Sequence, residues 1–535
     1  MLPTPRMITD ASDPLATLSA YALLFGVNPD TGRPLSFHGY EYLVQPLDDL
    51  APRVVIMKGA QVGATVLAVM RALWFVDVRQ AHTLYLFPTH RSALRFTRGR
   101  LRVLLERAPR FRMLFGTSPT ATHLRAGHVN WYCHGGKSRV ELLSMPVQYL
   151  TIDERDAMYE SQPLGQTPWS AVELARQRLA GHSRAWELNL STPTVPGRGI
   201  AADFARTDQR HFEPRCPRCR RWVRLDWPNF LRGWEGRPES AAWHCPVCRG
   251  LWSQADRQAA LAQGRWTADV AGADVHGYFV PQVLAPTQSP SRLVAAWQSA
   301  QGHVAATQVF WNSILGLPYR ADGARLEDRY WDEALARSDF PMEDAATGGR
   351  VLGVDVGPTW LHGIIAEPRH PGLRLCWIGR LPDWGELERL IDRFQLEAFV
   401  IDAQPETHAA RELALRHPAG FLCYYGGEGC ELNVNPVSRI LRVPRTESLD
   451  ALFALWRRGQ IWLPTEAPDE LRLHLQSLVR LYRVGRHGQV RAEYLDAGGP
   501  DHFAHALNYC HLAALLAPRS QGWLRGRAAG PLFDW

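Results

Sequence analysis

Arg53-Val54-Val55-Ile56-Met57 runs directly into Lys58-Gly59-Ala60-Gln61-Val62-Gly63-Ala64-Thr65, and an apolar amphipathic stretch, 64–76, comes next. Strand, glycine-bearing loop and helix together offer bare backbone N–H groups and a helix N-terminus to phosphate oxygens. The usual spacing is G-x-x-x-x-G-K-[ST]. Here Gly63 is the second glycine and Thr65 the hydroxyl suited to Mg²⁺, but Ala64 stands in the lysine slot. The lysine instead takes the first-glycine slot as Lys58, where a side chain entering at the start of the loop can reach the same phosphates. Taken alone, the segment also fits a structural turn.

A second segment favours the phosphate reading. The apolar run Tyr149–Ile152 ends in Asp153-Glu154, the pair an ATPase needs: an Asp to hold Mg²⁺ through water and a Glu to polarise the attacking water. Another run, Trp186–Leu190, leads into Ser191-Thr192-Pro193-Thr194, small hydroxyl residues able to sense a γ-phosphate and couple hydrolysis to movement. Apolar runs at 54–57, 83–87, 149–152 and 186–190 alternate with amphipathic stretches at 64–76 and 93–107. That alternation predicts an α/β fold with a parallel sheet.

The whole chain has 535 residues and a formal charge of +7, from 60 basic against 53 acidic side chains. Its length calls for more than one domain, because single cores stop growing near ~250–300 residues. With 46% hydrophobic and 21% charged residues it is neither disordered nor collagen-like. No run approaches the ~18–20 apolar residues of a membrane span, and the start Met1-Leu2-Pro3-Thr4-Pro5 lacks a signal-peptide pattern. A cytoplasmic protein without a membrane segment is expected. Only Lys58 and Lys137 are lysines, leaving 58 arginines among the 60 cations. A GC-rich genome accounts for the bias, yet a retained Lys is a compact ammonium suited to a tight phosphate site.

Four of the nine cysteines form two knuckles, Cys216-x-x-Cys219 and Cys245-x-x-Cys248, separated by 25 residues. Such pairs predict a Cys₄ Zn²⁺ ribbon rather than disulfides; the other five read as ordinary buried thiols. From Arg350 the pattern changes. Three β-type runs (351–356, 361–366, 373–378), a helical segment (384–394) and a strand (398–401) succeed one another in the order of an RNase H-like core. Asp355 lies inside the first run, Asp402 ends the later strand, and Asp501 opens the apolar helix 501–509. A charge inside an apolar strand is costly unless paired or metal-bound. Three converging carboxylates hold two Mg²⁺ or Mn²⁺ ions ~4 Å apart for attack of water on a phosphodiester. Individually, Asp501 also reads as a helix N-cap and Asp402 as a solvated strand end. Asp450, Asp496, His502 and His505 are possible auxiliaries.

These motifs together resemble the large terminase subunit of tailed bacteriophages, in its lambda-like branch. The likeness covers almost the whole chain: the displaced lysine of 58–65, Thr151-Ile152-Asp153-Glu154, Ser191-Thr192-Pro193-Thr194, the paired CxxC, and Phe310-Trp-Asn-Ser-Ile-Leu-Gly-Leu-Pro-Tyr319. It implies a motor that packages concatemeric viral double-stranded DNA into a procapsid using ATP, with a separate two-metal endonuclease. By the resemblance, Lys58, Gly63, Thr65, Asp153 and Glu154 form the ATP site, and 40–45 frames adenine. It also implies Asp355, Asp402 and Asp501 as the nuclease acids, and an arginine acting on the γ-phosphate, with Arg139 and Arg198 as candidates. The implied partners are a small terminase subunit, the portal protein of the procapsid and further copies of the chain on that portal. The implied location is host cytoplasm with transient docking on the procapsid.

The expected organisation is a 1–35 segment (small-subunit contact), a P-loop ATPase core at 36–211, a zinc ribbon insert at 212–252, the rest of the ATPase region and a linker at 253–345, a nuclease at 346–517 and a tail at 518–535 (portal contact). Arg91, Arg95, Arg98 and Arg102 fall at i, i+4, i+7 and i+11, one basic helical face for DNA phosphates. Seven further arginines lie in 206–224. Two rival readings are a helicase-nuclease of DNA repair, which calls for extra helicase motifs, and a non-catalytic zinc-containing capsid or DNA-binding protein with a decayed ATPase.

Overall fold

The structure, a computed structural model, describes residues 15, 17–28, 31–116, 122–138, 140–143, 145–159, 170–426, 430–484, 489–497 and 499–517. The chain divides into two compact units, 1–319 and 320–535. The expected portal tail, 518–535, lies outside the described residues, as does 1–14 of the expected small-subunit segment. The remainder of that segment is tied to the first unit: in the helix Leu18–Phe25, Leu18, Tyr21 and Ala22 are buried, and Tyr21 Oη donates to Asp77 Oδ2 at 2.8 Å.

A nine-stranded sheet organises the first unit. In spatial order its strands are Arg265–Ala268, Arg210–Glu213, His276–Val280, Arg53–Lys58, Trp186–Ser191, Tyr149–Asp153, Thr83–Phe87, Val129–Gly135 and His123–Ala126. The seven from 210–213 to 129–135 are parallel, and the outermost strand at each edge is antiparallel. Every residue of 83–87 and 149–153 is buried. Parallel strands covered on both faces read as unbroken apolar runs for that reason. The helix Ala64–Asp77 is buried on nearly all sides, with Phe75 stacked on Tyr149 at 4.0 Å between ring centres.

Register brings Met57 beside Ser191, Lys58 beside Val280, and Asp153 beside Leu190. The phosphate loop, the Asp-Glu pair and the hydroxyl motif therefore leave the sheet at the same edge, outside the carboxyl ends of its strands, where open α/β sheets bind ligands. Strand 186–191 lies between the loop strand and the acid strand.

One helical expectation changes in detail. The stretch 93–107 is divided into helices His90–Phe96 and Arg102–Arg107 by a π-helical turn, Thr97–Leu101. A π turn accommodates one extra residue, which rotates the succeeding helix by about 100°. Arg98 and Arg102 consequently do not continue the straight α-helical stripe begun by Arg91 and Arg95. The stretch 297–315 is the end of helix Pro290–Ala300, then helix Val304–Val309 and a second π turn, Phe310–Leu315.

An eight-stranded sheet forms the second unit, in the order Asn433–Asn435, Ile440–Pro444, Gly420–Gly426, Ala398–Asp402, Val351–Val356, Leu361–Arg369, Gly372–Leu381 and Ile461–Trp462. Strands 351–356, 361–369 and 372–381 are an antiparallel meander; 398–402 returns parallel to 351–356 after helix Trp384–Phe394. This is the anticipated meander, helix, strand order. The helix His502–Leu516 lies against strand 351–356. A Cβ on Gly353 would fall 2.0 Å from Cys510 N and 2.1 Å from Ala506 O, so glycine permits this close packing. The segment 320–345, grouped with the ATPase region on sequence, belongs to the second unit. Its helix Asp328–Ala336 buries Trp331 stacked on Trp456, and that aromatic contact outweighs chain proximity to 319.

Candidate functional site

Backbone conformation shapes the phosphate loop. Gln61 (φ 57°) and Gly63 (φ 85°) are left-handed, and Gly63 caps the helix that begins at Ala64. Alternating right- and left-handed residues turn successive N–H groups to one side, forming an anion nest. Two N–H groups at the loop entrance are committed elsewhere, Gly59 to Val280 O at 2.9 Å and Ala60 to Ser313 O at 2.6 Å. Thr65 is half-buried in the first helical turn. Of the expected adenine frame, Tyr42 is core, fully buried with its hydroxyl on Val62 O, whereas half-buried Tyr40 lies against Gly63.

Lys58, 6% exposed at the end of its strand, places Nζ 3.1 Å from Glu154 Oε1. Glu154 is itself left-handed (φ 56°), an uncommon conformation for a non-glycine residue that marks functional turns. It turns the chain so that adjacent acids diverge: Glu154 meets Lys58 while Asp153, 3% exposed, accepts from Tyr85 Oη at 2.8 Å. Burial, reinforced by Glu154 and opposed by Lys58 and Tyr85, raises the Asp153 carboxyl to about 6. Burial pulls the Lys58 ammonium down, but Glu154 and Asp153 outweigh it and the net direction is up. Asp153 Oδ1 is buried with no hydrogen-bond partner. A carboxylate oxygen in that state suits the hydration shell of Mg²⁺.

The hydroxyl motif is wired to both loops. Asp156, two residues past Glu154 and buried, accepts at Oδ2 from Thr194 N and Thr194 Oγ1, both at 2.9 Å, and at Oδ1 from Ile200 N at 2.7 Å. Its own N–H donates to Ser191 Oγ. Arg155 pairs with buried Asp203 at 2.8 Å, and Asp203 also accepts from Asn189 Nδ2. From the opposite side, Thr194 O accepts from Asn312 Nδ2 at 2.8 Å and Tyr319 N at 2.9 Å. Segment 310–319 thus joins Ala60 of the phosphate loop to Thr194, while Pro193 is buried between. Asp156 and Asn312 were not singled out in the sequence; the only signals were a second acid after Asp-Glu and the 310–319 signature.

In the second unit, Asp355 is buried within strand 351–356 and accepts from, or shares a proton with, His502 Nδ1 at 2.8 Å. Directly opposite in register is His362, whose ring stacks on that of His502 with 4.5 Å between centres. The ligand atoms of Asp355, His362 and His502 all lie within 4.8 Å of one another. Asp402 and Asp501 are outside that group. Burial raises the Asp402 carboxyl to about 7, with Asp355 adding to it; Asp501 is held by His505 Nε2 at 3.1 Å. Burial pushes Asp501 up, but His505, Arg445 and His502 carry it well below the usual carboxylate range. The proton on His502 is retained above its ordinary range, chiefly through its hydrogen bond to Asp355. Burial, with His502 and His474, lowers His362 to about 3. Asp450 is a structural acid, gripped by Arg480 at 2.8 and 2.9 Å and by Tyr494 Oη.

Cys216, Cys219, Cys245 and Cys248 form a second cluster. Sγ separations of 3.9 Å for 216–248 and 219–245 are far beyond a disulfide and close to the ~3.8 Å edge of a tetrahedron with ~2.3 Å Zn–S bonds. N–H groups of Val247 and Cys248 point to Cys245 Sγ at 3.4 Å; a small three-stranded sheet (Leu231–Arg232, Ala242–His244, Leu251–Trp252) carries this knuckle, and the Arg215–Trp222 bridge closes the other.

Arg91, Arg95, Arg98 and Arg102 are all exposed, with Arg102 paired to Glu106. In 206–224 the arginines divide. Arg210 is locked by Asp208 and Asp49, and Arg224 by Asp269, whereas Arg206, Arg218, Arg220 and Arg221 are exposed. Arg139 lies outside the described residues; Arg198 immediately precedes helix Gly199–Phe204; Lys137 is exposed in the turn after strand 129–135. Among the described residues no helix is long and apolar enough to cross a membrane.

Residues 42–266 match the ATPase domain of the phage terminase large subunit gpA. The large terminase of bacteriophage HK97 shares the fold at a TM-score of 0.54 and 10% identity, over 93% of this chain and 99% of that one. The large terminase of a thermophilic bacteriophage, in complex with ATP-gamma-S, aligns at TM-score 0.31 and 12% identity, over 89% and 98%. The ATPase domain of the Thermus phage P74-26 large terminase aligns at 0.31 and 12%, over 53% and 93%. No curated protein matches in sequence. The chain thus carries, at 42–266, a match to the gpA-type terminase ATPase domain, and it shares the fold of a large terminase along nearly its whole length.

Proposed function

We propose that this protein is the ATP-driven motor that moves double-stranded DNA into a procapsid, and that its second unit cuts the concatemeric DNA. The observation that carries the motor reading is the ion pair of buried Lys58 with exposed Glu154 at 3.1 Å, set at the sheet edge where Gly59–Thr65, Asp153 and Ser191–Thr194 also emerge. Lys58 and the N–H groups of the loop bind phosphate, Thr65 and Asp153 hold Mg²⁺ of the nucleotide, and Glu154 orients the attacking water. While Lys58 holds Glu154, the base is tied to the very cation that an arriving phosphate would claim. Phosphate binding therefore competes for Lys58 and frees Glu154. Asp156 and Asn312 then make Thr194 respond to changes on either side of the nucleotide. Phosphate release by the full chain, with and without DNA, tests this: Glu154→Gln should abolish turnover while nucleotide still binds.

For the nuclease, Asp355, Asp402 and Asp501 are the proposed acids. Neighbouring carboxylates such as buried Asp355 and half-buried Asp402 fit a divalent cation, since desolvation, with Asp355 adding to it, drives Asp402 toward protonation. Two Mg²⁺ or Mn²⁺ ions would supply an activated water and neutralise phosphodiester charge. The exposed Arg91, Arg95, Arg98 and Arg102, with Arg206, Arg218, Arg220 and Arg221, are proposed to contact DNA phosphates without sequence preference. Zn²⁺ in the Cys₄ cluster would brace the ribbon. A small terminase subunit, the portal and further copies of this chain complete the proposed assembly, which works in the host cytoplasm and on the procapsid.

A further inference from the structure

We infer that Asp355, His362 and His502 form a two-imidazole, one-carboxylate metal site that takes a borderline divalent ion such as Mn²⁺, Fe²⁺, Co²⁺ or Zn²⁺ in preference to Mg²⁺. The inference deepens the nuclease reading, on which it rests for what the metal does; the site itself stands on geometry. Donors bound at ~2.1 Å sit ~3 Å apart when adjacent and ~4.2 Å apart when opposite. The ligand atoms of these three residues already lie within 4.8 Å of one another, with His502 Nδ1 2.8 Å from Asp355 Oδ2.

Three independent features of the fold aim the group. Antiparallel register sets His362 directly across from Asp355. Helix 502–516, seated on Gly353, delivers His502 to the same carboxylate. Gly357 leaves open the space in front of both rings: a Cβ there would sit 3.4 Å from Cε1 of His362 and 3.4 Å from Cε1 of His502.

An orphaned atom supplies the second line of argument. His362 is 5% exposed, and its Nδ1 is buried with no hydrogen-bond partner. A buried ring nitrogen without a partner costs free energy that ligation recovers. Donor chemistry then selects the ion. Imidazole binds Zn²⁺, Fe²⁺ and Co²⁺ well, Mn²⁺ accepts mixed oxygen and nitrogen donors, and Mg²⁺ favours an all-oxygen shell. The three carboxylates proposed for cleavage would thus share Asp355 with a site whose other ligands are nitrogens.

The test uses Mn²⁺ as probe and the full chain without nucleotide, because Mn²⁺ is a poor ion for the Cys₄ cluster. Electron spin-echo modulation at substoichiometric Mn²⁺ should show imidazole ¹⁴N coupling, replaced by ¹⁵N coupling when histidine is ¹⁵N-labelled. His362→Gln and His502→Gln should each diminish that coupling and weaken Mn²⁺ binding at least about tenfold, the smallest loss even an outer-shell partner causes. The isotope experiment needs no variant, so misfolding of His362→Gln leaves a decisive measurement. Bound Mn²⁺ with no nitrogen coupling, or coupling that persists undiminished in both variants, overturns the inference. If plasmid cleavage proceeds in the former case, the carboxylate nuclease survives without the imidazoles. Nitrogen coupling together with no cleavage by the wild-type chain upholds the metal site and removes the nuclease reading.

Discussion

Asp153 in the first unit and Asp355 in the second are both buried carboxylates on interior strands of their sheets, yet they are stabilised by different chemistry. Asp153 has a tyrosine hydroxyl and, through Glu154, a lysine that carries charge across the whole physiological range. Asp355 has two imidazoles, and no lysine or arginine pairs with it among the described residues. A site that must release one anion before binding another gains from a fixed cation already on hand. A site whose charge is to be supplied by a metal gains from imidazoles that keep the carboxylate in place and give up a proton when the ion binds.

The largest expected effect separates the two. Lys58→Ala should lower ATP turnover by about 10³-fold while plasmid cleavage with Mn²⁺ stays near wild type. Turnover that survives this change would remove Lys58 from the phosphate and break the contrast. The converse variant, Asp355→Asn, should cut cleavage by about 10²–10³-fold with ATP turnover intact; persistent cleavage would relocate the metal.

A smaller effect lies in stability. Folding holds the Asp153 carboxyl at about 6, above its unfolded value near ~4. The unfolded chain therefore loses this proton first, so stability falls as pH rises from about 4 to about 6 and stays lowered above that. Asp153→Asn removes the cost: above pH ~6 it should stabilise the first unit by roughly 2–3 kcal/mol, with no gain at pH ~4, measured as denaturation midpoints across pH. A gain that is the same at both pH values would show that the lysine and tyrosine already neutralise Asp153 fully. The smallest change is Asn312→Ala, which leaves Thr194 O and Leu317 O without their side-chain donor. It should cost about 1–3 kcal/mol. It should also lower the DNA stimulation of ATP turnover more than basal turnover, if segment 310–319 links the phosphate loop to Thr194.

The contrast was only half visible in the sequence. Lys58, Asp153 and Glu154 stand at the ends of contiguous apolar runs, and the cysteine spacing is local; such features depend on a few neighbouring residues. The meander at 351–381 was equally legible because each strand keeps its period. His362 was not, since its partnership with Asp355 depends on cross-strand register, which depends in turn on the turn between the strands. Asp156 was missed because only the left-handed Glu154 turns its carboxylate back toward Thr194. The π turn at 97–101 inserts one residue that periodicity over a short window does not reveal. The grouping of 253–345 with the ATPase region failed at 320–345 because the core that receives Trp331, the one with Trp456, lies more than 100 residues along the chain.

Gly353 has a consequence for evolution and for engineering. Helix 502–516 touches the strand there main chain to main chain, so the span between Asp355 and His502 is a tolerance machined into the backbone rather than a setting of side-chain rotamers. A methyl group at 353 would act as a shim, lifting the helix and opening the jaws of the site without altering a single ligand. Graded fillers at this one remote position offer a mechanical dial on the cutting centre, one that leaves its chemistry nominally intact.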